Sequence, residues 1–324
     1  MVLSLLPELS GDVCIVMTTY NAAEFLSEQL ESILGQQYSR WTLLISDDGS
    51  TDGTLDIIHD YHDRYIGQIV NVTPPEPFHD VSCNVEYLLS QTTAPYVMVA
   101  DHDDVWLSQK VGLTMNAMIK AEGDCPQIPC LVHTDLEVVD AQLTQMDSSY
   151  WHYSHLKPTQ RLPELLFQNV VTGCTMMINR SLLDKAMPFP SGIFMYDWWM
   201  GLVAATFGSL VPVPQATIRY RQHGTNMVGA QKVQLQPAQH RLTTLWTTWQ
   251  VLQQTMVRRL DRTQRQAEVF LNQYAPQLDD PTIRMLNEYV ALRHHSCLQR
   301  RRIGMQYGFF GNSWQTLIGM WLLL

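Results

Sequence analysis

Residues 96–104 read Tyr-Val-Met-Val-Ala-Asp-His-Asp-Asp, and this segment is the most informative about the fold. An uninterrupted apolar run of this kind predicts a parallel strand that is buried on both faces. The run ends abruptly in Asp101, Asp103 and Asp104. Carboxylates gathered at the end of a buried strand repel one another unless a cation or sugar hydroxyls lie between them. The stretch therefore predicts a ligand site at a strand end.

A second acidic cluster follows another strand pattern about fifty residues earlier in the chain. Residues 41–45 read Trp-Thr-Leu-Leu-Ile, and residues 46–52 read Ser-Asp-Asp-Gly-Ser-Thr-Asp. Ligands of open α/β sheets bind outside the carboxyl ends of the strands, so both clusters are expected to line one crevice. Asp47 or Asp48 would accept hydrogen bonds from a base or a ribose. The alternative is an Asx turn that caps the next helix.

Strand and helix patterns alternate over the first 115 residues. Apolar runs at 13–17, 41–46 and 96–100, with a weaker one at 69–72, are separated by segments of helical spacing. This rhythm predicts an α/β fold with a mostly parallel, Rossmann-like sheet and helices on both faces. Further strands are expected near 131–138, 173–179 and 217–221, and a helix is expected to open near Asp197.

Charge divides the chain into two parts. Residues 1–230 carry 10 Lys/Arg against 26 Asp/Glu, whereas residues 231–324 carry 11 against 5. We therefore predict a catalytic domain over 1–230 and a helical, basic and aromatic C-terminal extension over 231–324. The acidic first part argues against nucleic acid as a partner. The basic extension suits an anionic membrane surface, and the alternatives are a homodimer interface or packing on the catalytic domain.

The cysteines and the N-terminus bear on the cellular location. Six cysteines contain no Cys-x-x-Cys pair, which favours a reduced, cytoplasmic setting. The N-terminus lacks the basic region of a signal peptide, and no run reaches the roughly 18 apolar residues that span a bilayer. We expect a cytoplasmic protein, peripheral on the inner face of the plasma membrane if the extension binds lipid.

A third motif joins residues 172–175, Thr-Gly-Cys-Thr, to residues 195–199, Met-Tyr-Asp-Trp-Trp. Asp197 is expected at a helix start beside two indoles, where an apolar environment raises a carboxyl pKa and suits a general base. Gly173 would let an acceptor approach closely, and Trp198 and Trp199 would offer flat faces to a sugar ring. The alternative is a helix cap followed by core tryptophans.

The fourth motif is residues 220–226, Tyr-Arg-Gln-His-Gly-Thr-Asn. Arg221 would neutralise a diphosphate, and His223 would ligate a metal ion. A single histidine is more often structural than a ligand, so a purely structural role for His223 stays open.

Taken in order, these motifs resemble the family 2 glycosyltransferases, inverting enzymes with a GT-A fold, over about residues 13–229. The fourth motif is most similar to the branch of rhamnosyltransferases that builds bacterial surface polysaccharides. The chain departs from that branch at His102, where Gln is usual, and at Tyr196, where His is usual. The resemblance implies a nucleotide site at Thr18, Tyr20, Asp47 and Asp48, a ribose or donor-sugar contact at Asp101, Mn²⁺ or Mg²⁺ at Asp103 and a catalytic base at Asp197.

The expected reaction is a metal-dependent transfer with inversion from a nucleotide-sugar donor to a saccharide or lipid-linked saccharide acceptor. The resemblance alone suggests that the donor is dTDP-rhamnose. A nucleotidyltransferase would want a glycine- and lysine-rich phosphate loop after the first strand, and residues 18–21 contain neither residue. A second alternative, a non-catalytic nucleotide- or glycan-binding module, is opposed by the presence of both Asp103 and Asp197.

Overall fold

A computed structural model describes residues 11–223 and 242–309, without the side chains of residues 242–256. The first half alternates strands with helices, as the apolar runs predict. Its elements are β1 (Val13–Thr19), α1 (Leu26–Leu34), β2 (Trp41–Asp47), α2 (Thr54–Arg64), β3 (Ile69–Asn71), α3 (Val81–Ser90), β4 (Tyr96–Ala100), β5 (Val105–Trp106) and α4 (Lys110–Glu122).

The second half contains longer strands and shorter helices. Its elements are β6 (Cys130–Asp140), β7 (Gln145–Asp147), α5 (Tyr150–Tyr153), α6 (Leu162–Phe167), β8 (Met176–Asn179), α7 (Arg180–Ala186), α8 (Tyr196–Phe207) and β9 (Ser209–Gln222). Residues 173–175 form a short 3-10 turn before β8 instead of belonging to the strand, so the strand expected at 173–179 begins three residues later. The helix expected near Asp197 is α8.

The strands within residues 11–223 form one nine-stranded sheet in the order β3-β2-β1-β4-β8-β6-β9-β5, with β7 beside β6. Strands β1 to β4 pair in parallel, as their crossover helices require. Strand β8 lies between β4 and β6 and is antiparallel to both. Strand β5 is antiparallel to β9, and β7 is antiparallel to β6. The sheet is therefore α/β and parallel in its first half but mixed in its second.

The register explains why the acidic clusters share one edge of the sheet. Thr19 of β1 lies opposite Asp47 of β2, and Met17 of β1 lies opposite Ala100 of β4. Asp101 follows Ala100 directly. Both clusters therefore lie at the carboxyl edge, on either side of the end of β1, where ligands of such sheets bind.

The C-terminal part is helical, as expected, and consists of α9 (Leu242–Tyr274), α10 (Asp280–Ala291) and α11 (Cys297–Tyr307). Phe270 and Tyr274 of α9 pack on Trp199 of α8, with ring centroids 5.5 and 5.7 Å apart. This part of the extension thus shares a core with the catalytic domain. No helix of the described residues is both long and apolar enough to cross a membrane. Residues 224–226 of the fourth motif and residues 310–324 of the extension lie outside the described residues.

Candidate active site

The acidic loop after β4 meets the end of β9. Asp103 Oδ2 lies 2.9 Å from His223 Nε2, and the two side chains are only 13% and 12% exposed. The His223 ring also packs on Phe25, with centroids 4.9 Å apart. The structure therefore brings together the two residues that the sequence predicts as metal ligands, although 120 positions separate them.

A second group near this loop has ligand-type atoms within 4.8 Å of one another: Asp101, Asp104 and Cys174. Burial raises the pKa of the Cys174 thiol and of the Asp104 carboxyl well above their usual values, and both groups are fully enclosed. A hard divalent cation prefers ionised oxygen ligands to a protonated thiol. The donor set of Asp103 and His223 therefore fits Mn²⁺ or Mg²⁺ better than this buried group does.

Arg221 lies beneath the acidic loop and is 3% exposed. Its Nε donates to the carbonyl of Asp103 at 2.8 Å, and its backbone amide donates to Asp104 Oδ1 at 3.2 Å. Its Nη2 contacts Glu28 Oε2 of α1 at 2.5 Å, and its Nη1 donates to the carbonyl of Ala141 at 2.7 Å. These contacts use the guanidinium to hold the loop; its predicted role at a diphosphate stays a prediction.

Glu28 was not singled out from the sequence. Its position in the predicted helix, three residues after Phe25, is the only sequence pattern that concerns it. In the structure the Phe25 ring lies 4.6 Å from the guanidinium carbon of Arg221. Helical spacing puts both residues on one face, but nothing in the sequence identifies Arg221 as their partner.

The first acidic turn contains an Asx turn, as the alternative interpretation predicts, but the N-cap of the following helix α2 is Gly53, which provides no side-chain cap. Asp47 is 2% exposed, and its carboxylate accepts from Thr19 Oγ1 and from the amides of Gly49 and Ser50 at 3.1, 3.2 and 2.8 Å. Gly49 has φ of +86°, a conformation that favours glycine. The hydrogen bonds of the Asp47 carboxylate thus stabilise the conformation of the turn.

Asp48 reaches the opposite side of the turn. Its Oδ1 accepts from the amides of Phe78 and His79 at 2.6 and 2.9 Å, which ties the turn to the segment before α3. Tyr20, by contrast, leaves 56% of its surface exposed at the end of β1. Tyr20 is therefore free to stack on a ligand, whereas Asp48 already has two protein partners.

His102, the first departure from the rhamnosyltransferase pattern, bridges two strand ends. Its Nδ1 lies 3.3 Å from the carbonyl oxygen of Thr18. The contact joins the loop after β4 to the end of β1, so the backbone of Thr18 helps to position the acidic loop.

Asp197 occupies the first turn of α8 and is 7% exposed. Its carboxylate accepts from the amides of Trp198 and Gly173 at 2.6 and 3.1 Å and from Asn169 Nδ2 at 3.2 Å. Burial raises its pKa to about 7, although these hydrogen bonds act in the opposite direction. A carboxylate that titrates near neutral pH suits a general base. Sequence reasoning missed Asn169, which no motif marks.

The two tryptophans after Asp197 belong to the core. Trp199 is fully buried and donates from Nε1 to the carbonyl of Ala186 at 3.0 Å. Trp198 is 7% exposed and donates from Nε1 to the carbonyl of Leu165 at 2.7 Å. The sequence predicts that the faces of Trp198 and Trp199 receive a sugar ring. The structure corrects this prediction, because α8 is packed on several sides and both indoles are buried.

Gly173 is placed against Tyr196, the second departure from the rhamnosyltransferase pattern. A Cβ at position 173 would lie 2.2 Å from the Tyr196 hydroxyl oxygen, closer than any contact allows. The absence of a side chain at position 173 thus makes room for the Tyr196 hydroxyl, and the predicted approach of an acceptor to Gly173 stays a prediction.

Lys110 is a further buried charge that the sequence does not reveal. It is fully enclosed at the start of α4, and its ammonium lies 4.6 Å from the centroid of the Trp106 ring. Burial lowers its pKa to about 8, while Cys174 and Asp104 act to raise it. The cation offsets part of the negative charge beneath the acidic loop.

The sheet, the carboxyl-edge site and the buried carboxylate of α8 define a glycosyltransferase with a GT-A-type fold. The chain belongs to glycosyl transferase family 2, whose model matches residues 14–186. It is 26% identical over 229 residues to the dTDP-rhamnosyl transferase RfbG of Shigella flexneri, covering 66% of this chain and 74% of that protein.

Two further comparisons agree with this family. The chain is 29% identical over 188 residues to the UDP-Glc:alpha-D-GlcNAc-diphosphoundecaprenol beta-1,3-glucosyltransferase WfgD of Escherichia coli, covering 57% of this chain and 68% of that protein. The crystal structure of S. aureus TarS 1-349 in complex with UDP-GlcNAc superposes with a TM-score of 0.51 at 14% identity, covering 87% of this chain and 82% of TarS 1-349.

Proposed function

We propose that this glycosyltransferase transfers a sugar, with inversion and with the help of a divalent cation, from a nucleotide-sugar donor to a saccharide of a growing cell-surface glycan. The observation that carries the proposal is the pairing of Asp103 Oδ2 with His223 Nε2 at 2.9 Å, at the carboxyl edge of the sheet where the two acidic clusters lie. Burial and the charge of Asp103 raise the pKa of the neighbouring Asp101 carboxyl.

The chemical step follows from the position of Asp197. An acceptor hydroxyl next to this carboxylate loses its proton to Asp197 as the oxygen attacks the anomeric carbon of the donor. The bond between that carbon and the nucleotide diphosphate breaks on the opposite face, and the diphosphate leaves with the bonding electrons. A pKa of about 7 lets Asp197 accept the proton near neutral pH.

Asp103 and His223 would hold Mn²⁺ or Mg²⁺, which supplies positive charge that stabilises a diphosphate leaving group. Arg221 contributes by fixing the backbone of Asp103 through its Nε. The nucleotide would bind at the edge formed by Tyr20, Asp48 and the turn that contains Gly49.

The donor is proposed to be dTDP-rhamnose. The name of the S. flexneri relative and the resemblance of the fourth motif support this choice. The UDP-sugar named for the E. coli relative makes UDP-glucose the competing donor. That relative's name also supports a lipid-linked saccharide as acceptor, which we propose is reached from the cytoplasmic face of the membrane with help from the basic C-terminal region.

Thermal shifts with Mn²⁺ and dTDP, UDP, GDP or CMP test this proposal. We expect one nucleotide to stabilise the wild-type protein only when Mn²⁺ is present, and the Asp103→Asn variant to lose this effect. Asp124→Asn, which alters an exposed carboxylate in the turn after α4, is the matched control. Stabilisation by dTDP would support rhamnose, and stabilisation by UDP would support a glucose-type donor. The absence of stabilisation by any nucleotide would favour a non-catalytic glycan-binding module.

A further inference from the structure

Tyr196 is a buried tyrosine at the start of α8, next to the proposed base. The residue is 4% exposed, and among the residues that the structure describes its hydroxyl makes no hydrogen bond. Buried tyrosine hydroxyls normally find a partner, and those of the buried Tyr274 and Tyr289 donate to the carbonyls of Lys185 and Leu166. The ring of Tyr196 is buried, but its hydroxyl oxygen is not among the enclosed side-chain atoms that lack a partner, so this oxygen is accessible to a ligand.

The hydroxyl lies inside the proposed site. It is close to Gly173, where a Cβ would come within 2.2 Å of its oxygen and 2.9 Å of Cζ. The amide of the same glycine donates to Asp197 Oδ2 at 3.1 Å. One glycine thus contacts the tyrosine hydroxyl through Cα and the proposed base through its amide.

The surroundings keep the phenol protonated. Burial raises its pKa well above the usual value, and the negative charges of Asp101 and Asp197 act in the same direction. A protonated phenol can donate a hydrogen bond. A sugar hydroxyl is an acceptor of suitable size and polarity, and a sugar that presents one hydroxyl to Asp197 presents a neighbouring one close by.

We propose that Tyr196 determines specificity for the acceptor sugar. Its phenol O–H donates a hydrogen bond to a sugar hydroxyl that is adjacent to the hydroxyl that Asp197 deprotonates. This inference rests on the proposed function, since it assigns a contact within the same site. It identifies Tyr196, in place of the two core tryptophans, as the aromatic residue of this motif that recognises the acceptor.

The test compares Tyr196→Phe with the wild-type enzyme in steady-state transfer to p-nitrophenyl glycosides of GlcNAc, glucose, galactose and rhamnose, with the donor saturating. For the best glycoside, we expect kcat/KM to fall about tenfold or more in the variant, because a site built for a hydroxyl contact discriminates strongly. Donor KM and nucleotide binding should be unchanged. Tyr61→Phe, which removes a buried tyrosine's hydroxyl that donates to Glu31 Oε1 between α2 and α1, should leave kcat/KM unchanged.

Deoxy glycosides sharpen the assignment. With the glycoside that lacks the contacted hydroxyl, the wild-type rate should fall to that of Tyr196→Phe, and the variant should lose nothing further. Equal kcat/KM for both enzymes on every glycoside, or a change confined to donor KM, would overturn the inference. So would a wild-type protein that binds nucleotide but uses none of the glycosides. A wild-type protein that binds no nucleotide would instead reject the proposed function itself.

Discussion

Glu28 and Arg221 form an ion pair in which Oε2 and Nη2 are 2.5 Å apart, although 193 positions separate the two residues in sequence. Arg221 is 3% exposed, whereas the Glu28 side chain is 50% exposed. The pair joins the first turn of α1 to the end of β9, directly below the loop that carries Asp103. The positioning of the proposed metal ligand therefore depends on a carboxylate outside every motif.

Glu28→Gln is expected to weaken Mn²⁺ binding in the presence of nucleotide by about tenfold, a typical effect of losing an outer partner of a metal ligand. The neutral amide leaves the buried guanidinium without its counter-charge, so the loop loses its support. Titration calorimetry with Mn²⁺ at saturating nucleotide measures the effect. Glu24→Gln, an exposed acid just before the same helix, is the control, and equal affinities in the two variants would contradict this role.

Asp197→Asn should lower kcat by about 10²- to 10⁴-fold, the usual contribution of a general base, while nucleotide binding stays intact. In the wild-type enzyme the base form requires deprotonation, so kcat/KM should rise with pH up to about 7 and then level off, as the pKa of about 7 dictates. The pH profile of transfer measures both. A variant that keeps most of its turnover would remove Asp197 from the mechanism.

Asn169→Ala should shift the acidic limb of that profile towards higher pH. Asn169 Nδ2 donates to Asp197 Oδ1 at 3.2 Å, and this hydrogen bond lowers the pKa of the carboxyl by stabilising its ionised form. Its removal raises the pKa further. An unchanged limb, with only a uniform loss of rate, would indicate that Asn169 acts on the structure of the loop instead.

His133→Leu should stabilise the protein, and increasingly so in acid. His133 is fully buried, neither ring nitrogen has a hydrogen-bond partner in the part of the chain that the structure describes, and burial lowers its pKa to about 3. In the unfolded state the pKa of a histidine is near 6.5, so between pH 6.5 and 3 His133 binds a proton in the unfolded state but not in the folded state. Folded stability therefore falls as pH drops from about 6.5 towards 3, by up to about 1.4 kcal/mol per pH unit.

Urea unfolding of the wild-type protein and of His133→Leu at pH 7 and pH 5 checks this linkage. The gap in unfolding free energy should widen at pH 5. His59→Leu, at an exposed position of α2, provides the control. A gap that does not depend on pH would mean that the folded protein binds the proton at His133 after all.

Local patterns predicted much of the fold. The apolar runs that became β1, β2 and β4 are continuous because both faces of a parallel sheet are covered, and that burial is visible in composition alone. The antiparallel insertion of β8 between β4 and β6 could not be predicted, because an apolar run has the same appearance in either orientation. The burial of Trp199 in the core could not be predicted either, because a buried tryptophan and one that stacks on a sugar ring have the same sequence pattern.

The order of strands and acidic residues along the chain is enough to predict where the acidic residues gather, because the carboxyl ends of parallel strands fall at one edge of the sheet. Which side chains meet at that edge depends on tertiary packing. Asp103 meets His223, Glu28 meets Arg221, and the Tyr196 hydroxyl meets Gly173. Such contacts depend on how helices and strands distant in sequence pack in space, and packing is decided by the whole core together, not by any one segment.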